Sequence, residues 1–150
     1  MKIRKAKLSD VNVICRLGNA VEEFEVAEKT VNFWPRKILV SCLKSKNAFV
    51  LVSKNEKNRV NGFIIASYNS CFRKAIIENI FVSRESRNKG TGKKLLNELI
   101  KKLRKINCEY VCTLIKNDDE QALGFYIAND LNMGTECIWL DKTLSKTFKK

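Results

Sequence analysis

The sequence contains no histidine, and this absence excludes several kinds of catalytic site. Histidine is the commonest general base in enzymes and the central member of the Ser-His-Asp triad. It is also one of the usual ligands of zinc, so most zinc chemistry is excluded with it. We therefore expect any catalysis to use carboxylates, tyrosine, lysine, cysteine or backbone groups, and we expect no bound metal.

Long apolar runs are absent as well. No run approaches the roughly 18 residues that indicate a membrane-spanning helix, and the amino-terminal stretch "MKIRKAKLSD" lacks the apolar segment of a signal peptide. The chain has one proline, and it has no repeat or low-complexity stretch that would mark a domain boundary. These absences predict a single cytoplasmic domain, residues 1–150, with no membrane partner.

Paired cysteine motifs are also missing. The six cysteines show no C-x-x-C spacing and stand mostly in apolar stretches, so we expect them to be reduced and buried. Acidic residues are few: 16 Asp and Glu face 29 Lys and Arg, which gives a net charge of +13. This excess favours an anionic partner such as nucleic acid, a phosphorylated cofactor or an acidic protein surface. A lysine-rich genome composition would explain the charge equally well.

Periodic patterns predict the order of the elements in the first half of the chain. "KIRKA" is typical of a short strand, and Ser9 is predicted to cap a helix whose apolar positions run from Val13 to Phe24. A second helix is predicted to bend or begin at Pro35. "NAFVLVSK" and "RVNGFIIASYN" then predict a hairpin, and "KAIIENIFVS" predicts a third strand.

The second half begins with an amphipathic helix after a glycine-bearing loop, with an apolar stripe from Leu95 to Ile106. "CEYVCTLIK" predicts a strand, "DDEQALGFYIAND" a helix, and "GTECIWLDK" a last strand. The fold class is therefore α/β, a mixed sheet with helices on both faces.

The glycine-bearing loop "RNKGTGKK", from Arg87 to Lys94, joins a strand to a helix. Free N–H groups and the helix macrodipole make such a junction an anion site. The first turn of a helix usually favours acidic residues, yet Lys93 and Lys94 stand there. Cations at that end cost up to about 1 kcal/mol unless an anion offsets them. The pattern therefore predicts a bound phosphate.

The spacing of the glycines distinguishes between known phosphate loops. The P-loop and the dinucleotide fingerprint both fail, because their required glycine, serine or threonine positions are not met. Arg87, Gly90 and Gly92 instead satisfy [RQ]-x-x-G-x-[GA]. Together with the order of the elements and Ala122, Phe125 and Tyr126 in the next helix, this resembles the acetyl-coenzyme A loop of the GNAT superfamily of N-acetyltransferases. The resemblance implies a mixed, mostly antiparallel sheet.

The resemblance implies a site for acetyl-CoA as co-substrate. Backbone N–H groups would wrap the pyrophosphate, and strand residues would pair with the pantetheine amides. Asn117 and Phe125 would add further contacts. The residues implied for the pyrophosphate are Arg87, Asn88, Lys89, Gly90, Thr91, Gly92 and Lys93, and those for pantetheine are Ile80, Phe81 and Val82.

The resemblance also implies catalytic roles for two side chains. Glu78 is the only acidic residue of an apolar strand, where it alternates with Ile76 and Ile80; it would remove a proton from the acceptor amine or bind that amine. The alternative is that Glu78 is simply an exposed residue on the solvated face of an edge-like strand. Tyr126 would protonate the leaving thiolate, or else belong simply to the core.

The acceptor is less specified. Glu22, Glu25 and Trp34 would line its pocket, and acidic side chains there would attract a small-molecule amine, a polyamine or a protein amine. The predicted reaction is direct acetyl transfer to a primary amine in a ternary complex, by a monomer or a homodimer. One alternative is an acyl-cysteine intermediate on Cys71, Cys108 or Cys112. Another is a CoA-binding interaction or nucleic-acid-associated module with little or no catalysis.

Overall fold

The computed structural model describes residues 1–24 and 32–144, so the predicted site residue Glu25 lies outside the described residues. A five-stranded sheet has the order β1-β2-β3-β4-β5. The first three pairings are antiparallel and β4 pairs parallel to β5, which confirms a mixed, mostly antiparallel sheet. The strands are β1 (Lys2–Lys5), β2 (Ala48–Lys54), β3 (Val60–Asn69), β4 (Lys74–Val82) and β5 (Tyr110–Thr113).

The described residues form four α-helices that pack on the sheet: α1 (Val11–Gly18), α2 (Arg36–Lys44), α3 (Thr91–Arg104) and α4 (Glu120–Ile127). The helix α2 begins directly after Pro35, as predicted. The side chain of Asp119 accepts a hydrogen bond from the backbone N–H of Ala122 at 2.9 Å and so caps α4.

The first helix ends earlier than its apolar pattern predicted. A Cβ on Gly18 would lie 2.5 Å from the ring of Phe33, so the glycine makes room for a core aromatic. The next residue, Asn19, donates from its side chain to the backbone oxygen of Cys15 at 2.7 Å and satisfies a terminal carbonyl. The chain then forms a separate 3₁₀ turn over Glu22–Phe24. The prediction of one helix continuing to Phe24 is therefore wrong.

The predicted cap of α1 is also wrong. Ser9 lies inside a 3₁₀ turn, Leu8–Asp10, and Asp10 is the residue that fixes the local structure. Arg4 donates to the Asp10 carboxylate at 2.7 Å, and the N–H of Lys7 donates to it at the same distance. Burial opposes the charged form, but these hydrogen bonds hold the pKa of Asp10 below its ordinary value.

Two apolar cores fill the spaces between the sheet and the helices. On one face, the leucines of α3 and Tyr126 of α4 pack on alternate residues of the strands. On the other face, α1 and α2 cover the intervening residues, including Phe63 and Ile65. Burying each leucine side chain stabilises the folded protein by roughly 1.5–3 kcal/mol relative to leaving it exposed. The leucines of α3 that are buried in this way are Leu95, Leu96, Leu99 and Leu103.

The carboxy-terminal segment differs most from its prediction. Between residues 132 and 144 the chain forms neither strand nor helix, and Ile138, Trp139 and Leu140 are 88%, 71% and 87% exposed. A strand needs a hydrogen-bonded neighbour, and this segment pairs with no strand among the described residues. The predicted last strand is therefore absent from the described structure.

The cysteines are all free, but they are not all buried as predicted. Cys71 and Cys137 are exposed, and the other four are half-buried. None of the helices in the described ranges has the length and hydropathy required to span a membrane.

Candidate active site

The strands β4 and β5 separate along their length. Pairing with β5 covers only Lys74 to Ile77 of β4. The remaining residues of β4, Glu78 to Val82, have a described strand neighbour only on the β3 side. Backbone groups that point away from β3 in this stretch are therefore available to another extended molecule. The gap between the two strands is a groove that opens toward the loop after Val82.

That loop turns the chain into the amino terminus of α3. Asn88 and Gly90 both have left-handed backbone conformations, with φ of 57° and 74°. Gly90 caps α3, and no acidic residue lies in the helix's first turn. Lys93 and Lys94 lie in that turn and are exposed, as the sequence predicted. The loop, the helix start and the two lysines together form a cationic anion site beside the groove.

Gly92 brings the start of α3 against α4. A Cβ on this residue would lie 3.0 Å from Cε2 of Phe125, which leaves little room for any side chain. The Phe125 ring meets the ring of Tyr126 edge-on, with centroids 5.1 Å apart. The anion loop is therefore packed on Phe125, which in turn contacts Tyr126.

Tyr126 lies at the closed end of the groove. It is 5% exposed, and burial raises the pKa of its hydroxyl above the ordinary value, against the opposing effect of a hydrogen bond with the Thr113 side chain. Thr113 in turn donates to the backbone oxygen of Ile77 at 3.0 Å. Thr113 and Ile77 are the last pair before β4 and β5 separate. The tyrosine hydroxyl is therefore protonated at neutral pH and lies close to the point of separation.

Glu78 is the extra residue of a β-bulge. Ile65 pairs with Asn79 and Ala66 pairs with Ile77, so Glu78 has no opposite residue in β3. The prediction that Glu78 simply alternates with its neighbours is therefore wrong, because a bulge interrupts the strand and re-aims side chains. Beyond the bulge, Ile80 packs in the α3 core, as Ile77 does before it.

The bulge places two polar residues in sequence. Ser67 donates to Oε1 of Glu78 at 2.5 Å. The adjacent Asn79 is buried and accepts a hydrogen bond from Nε1 of Trp34 at 2.8 Å. Trp34 packs against the α1 and α2 core, and Cys42 of the same core has its thiol pKa raised by burial and then by the Glu78 charge.

A shallow concavity is lined in part by Ser67, the hydrogen-bond partner of Glu78. Its volume is about 540 Å³, and it runs from Ser67 and Ile76 to the end of the β3–β4 hairpin. Most of its other lining residues are polar, including Asn47, Asn69 and Lys74. The concavity is large enough for a small polar molecule beside Ser67.

The predicted site residues fall into three groups. The first group surrounds the groove and consists of the loop residues, Gly92, Phe125 and Tyr126. The second group lies at the bulge of β4, where Glu78 bonds to Ser67 and Trp34 bonds to Asn79. The third group is exposed. Glu22 is exposed in the 3₁₀ turn after α1, and Asn117 is exposed in the turn before α4. Sequence reasoning missed Ser67, Asn79 and Thr113, since only strand pairing brings them to the site.

Comparison with known proteins identifies the same kind of domain. Residues 18–129 match the model of the acetyltransferase (GNAT) family. Comparison with curated protein sequences gives no significant match.

Solved structures share the fold at low sequence identity. The aminoglycoside 6'-N-acetyltransferase AAC(6')-IG from Acinetobacter haemolyticus is 14% identical, with 97% of this chain and 100% of that chain covered and a TM-score of 0.79. The aminoglycoside acetyltransferase meta-AAC0020 from an uncultured soil metagenomic sample is 21% identical over 96% of both chains, with a TM-score of 0.75. The structure of AAC(6')-Iy with the bisubstrate analogue CoA-S-monomethyl-acetylneamine is 14% identical, covers 95% of this chain and 98% of that chain, and has a TM-score of 0.77.

Proposed function

The chain belongs to the GNAT family of acetyltransferases, whose acetyl donor is acetyl-CoA, and from this premise we propose that it acetylates a primary amine by direct attack in a ternary complex. The observation that carries the proposal is the groove between β4 and β5. An anion loop stands at its open end and a protonated tyrosine at its closed end.

The residues of the groove fit the donor. A Cβ at Gly90 would meet no atom within 4 Å, so the backbone there is accessible to phosphate groups. Backbone N–H groups of residues 87–93 would hold the pyrophosphate, and the strand edge formed by Ile80, Phe81 and Val82, where the Val82 oxygen also accepts the Arg87 side chain, would hold the amides of pantetheine. Phe125 supports the loop through Gly92, and Asn117 would add a hydrogen bond. When bound, acetyl-CoA supplies an acetyl group that its thioester has already activated toward amines.

Two side chains of this chain would move the protons. Glu78 keeps Oε1 on the Ser67 hydroxyl, and we assign Oε2 to the acceptor amine, whose proton it removes as the new N–C bond forms. Tyr126 donates its proton to the sulfur as the C–S bond breaks. The elevated pKa of Tyr126 keeps that proton in place at neutral pH. The neutral amine thus loses one proton and the sulfur gains one; an acceptor that arrives as an ammonium ion first releases another proton to solvent.

The acceptor is proposed to be a small cationic amine. The concavity lined by Ser67, which donates to Glu78, has the size of a small molecule, and several structural neighbours are named aminoglycoside acetyltransferases. Trp34, Glu22 and Glu25 are proposed for the acceptor side. The alternative acceptors are polyamines and the amino groups of proteins, and activity measured across a panel of acceptors distinguishes them from a small cationic amine.

The test is release of free thiol from acetyl-CoA with aminoglycosides, polyamines, amino acids and peptide amino termini. With the best acceptor, Glu78→Gln and Tyr126→Phe should each lower kcat about 100-fold or more, which is the usual effect of losing a general acid or base. Matched controls are Glu56→Gln and Tyr110→Phe, which change exposed residues outside the groove. Tyr126→Phe enzyme with full turnover would remove the assigned acid.

The order of the reaction has its own test. Initial rates measured against both substrates should give intersecting lines, as a ternary complex requires. Parallel lines, with acetylated protein trapped before acceptor is added, would establish an acyl-cysteine route instead. Binding of CoA without turnover across the whole panel would favour an interaction module.

A further inference from the structure

The structure also joins the anion loop to the interior of the sheet through a buried chain of hydrogen bonds. Ser53 of β2 is completely buried and donates from Oγ to Oδ1 of Asn61 at 2.8 Å. Asn61 of β3 is 7% exposed, and its Nδ2 donates to Oγ of Ser86 at 2.8 Å. Ser86 directly precedes Arg87, the first residue of the anion loop. We name these three residues the loop tether.

A second β-bulge makes the tether possible. Ser53 pairs with Gly62 and Lys54 pairs with Val60, so Asn61 has no opposite residue in β2. On the other side of β3, the backbone oxygen of Asn61 accepts the N–H of Ser83 at 2.8 Å, which continues the β3–β4 pairing beyond Gly62 and Val82. Asn61 therefore binds both ends of the short turn between β4 and the loop, through its backbone at Ser83 and its side chain at Ser86.

The neighbouring glycine keeps this arrangement compact. A Cβ on Gly62 would lie 2.7 Å from Oγ of Ser53 and 2.8 Å from the backbone oxygen of Phe81. Those contacts are shorter than any real Cβ contact, so no other residue fits without moving the tether or the groove edge. Asn61 thus supplies the polar side chain that the hydrogen bonds require, and Gly62 leaves the space that Ser53 and the backbone of Phe81 occupy.

The loop itself has few other attachments. Residues 87–90 are all exposed, and two of them have left-handed backbone. The side chain of Arg87 reaches back to the backbone oxygen of Val82 at 3.0 Å, which ties the loop to the end of β4 but not to the sheet interior. Within the described residues, the buried attachment of the turn to β3 is through Asn61.

We propose that Asn61 and Ser86 are positioning residues for the donor: they set the place of the anion loop relative to the groove without touching the donor themselves. The proposal rests on the assignment of the groove to acetyl-CoA. Loss of the tether should therefore weaken donor binding, because the free loop must then be ordered when the donor binds. It should leave the acceptor site and the chemical step unchanged.

The test compares Ser86→Ala, which removes the hydroxyl, with Ser86→Thr, which keeps it. CoA binding is measured by calorimetry, and KM for both substrates and kcat by thiol release. Ser86→Ala should weaken CoA binding and raise the KM of acetyl-CoA about five-fold, the usual effect of one lost hydrogen bond. The KM of the amine and kcat should not change, and Ser86→Thr should stay within about two-fold of wild type. Ser9→Ala, which changes an exposed serine of the 3₁₀ turn before α1, is the matched control.

Amide hydrogen exchange gives a readout that does not depend on activity. In Ser86→Ala, residues 84–90 should exchange faster while β2 and β3 keep their protection. Asn61→Ala is the second variant; it removes the donor to Ser86 together with the acceptor for Ser53, and it should reproduce the effect on CoA.

The outcomes separate this inference from the proposed function. Equal CoA affinity in wild type and Ser86→Ala would overturn the tether alone. A parallel loss of thermal stability, amine KM and kcat would show a general structural role and would also overturn it. A wild-type protein that binds no CoA would remove the proposed function together with the tether.

Discussion

Gly90 and Gly92 lie two positions apart but require glycine for different reasons. Gly90 has a φ of 74° and open space around it, so Gly90→Ala should cost about 1 kcal/mol of unfolding free energy through backbone strain alone. Gly92→Ala should instead push Phe125 away and lower kcat as well as donor affinity, since Phe125 contacts Tyr126. Urea unfolding and thiol-release kinetics measure the two effects. Gly134→Ala, where a Cβ meets no atom within 4 Å, is the control and should change neither.

Tyr126 also predicts how stability depends on pH. Burial raises its pKa in the folded state above the ordinary value of 10.0. The folded protein then holds the phenolic proton more tightly than the unfolded chain, so this contribution is complete below pH 10 and is lost as the pH rises through the folded-state pKa. The stability difference between wild type and Tyr126→Phe should be constant from pH 7 to 9 and should decrease above pH 10. Urea titrations at each pH measure it, and a difference that stays constant to pH 11 would contradict the shift.

Which residues the sequence could reveal depends on how local their signal is. The loop motif and Tyr126 stand in contiguous patterns, and the structure places them around one groove. Ser67, Asn79 and Asn61 carry no such signal, because their partners are 11, 45 and 25 residues away along the chain. Strand register brings these pairs together, and a bulge changes that register by one residue.

At the scale of elements, the separation of β4 and β5 leaves backbone amides of the groove without a strand partner among residues 1–24 and 32–144. Among residues 78–82, amides that point away from β3 should exchange rapidly in the free protein. CoA should slow them, because its amides are proposed to occupy the vacant edge. The paired residues 74–77 of the same strand serve as an internal control and should exchange at the same rate with and without CoA. Equal exchange across the whole of β4 would mean that CoA binds elsewhere.

The order of the elements was largely predictable, whereas several of their ends were not. Runs of β-branched and aromatic residues identified the three central strands, because strands buried on both faces favour such residues. A stripe of leucines identified α3, because burial on one face imposes a helical period. The end of α1 was not predictable, because it depends on the Phe33 ring, which is distant in sequence and occupies the space beside Gly18. The carboxy-terminal segment has a strand's pattern but no strand neighbour in the described structure. A sequence pattern predicts which secondary structure a segment favours, but a strand forms only where a neighbouring strand is available to pair with it.

At the scale of the whole molecule, the carboxy-terminal segment presents apolar side chains to solvent. The chain has two tryptophans, so Trp34→Phe leaves Trp139 as the only one and Trp139→Phe leaves Trp34. Trp139 is 71% exposed, while Trp34 is half-buried and bonded to Asn79. Acrylamide should therefore quench the Trp139 protein more strongly, and its emission should lie further to the red. Blue-shifted, poorly quenched emission would show that the segment is covered, and size-exclusion chromatography would then distinguish a second copy from the chain's own sheet.

The net charge of +13 also acts on the whole molecule. Exposed lysines at the start of α3 stand beside the anion loop, so part of the excess has a local role in the proposed donor site. Salt screens interactions between exposed charges over about 10 Å at 0.1 M. The charge therefore favours phosphorylated partners generally, while the loop geometry supplies the selectivity.

The two bulges have a consequence for which changes of length the protein tolerates. Asn61 and Glu78 each behave as a one-residue insertion in an otherwise regular strand. Deleting either would restore strict alternation, and the residues on one side of the deletion would then turn to the opposite face of the sheet. A substitution in β3 or β4 changes the packing of one side chain. A deletion would instead expose core side chains along part of the strand and bury the side chains that now face solvent. Natural insertions and deletions should therefore be confined to the turns, while the lengths of these two strands stay fixed.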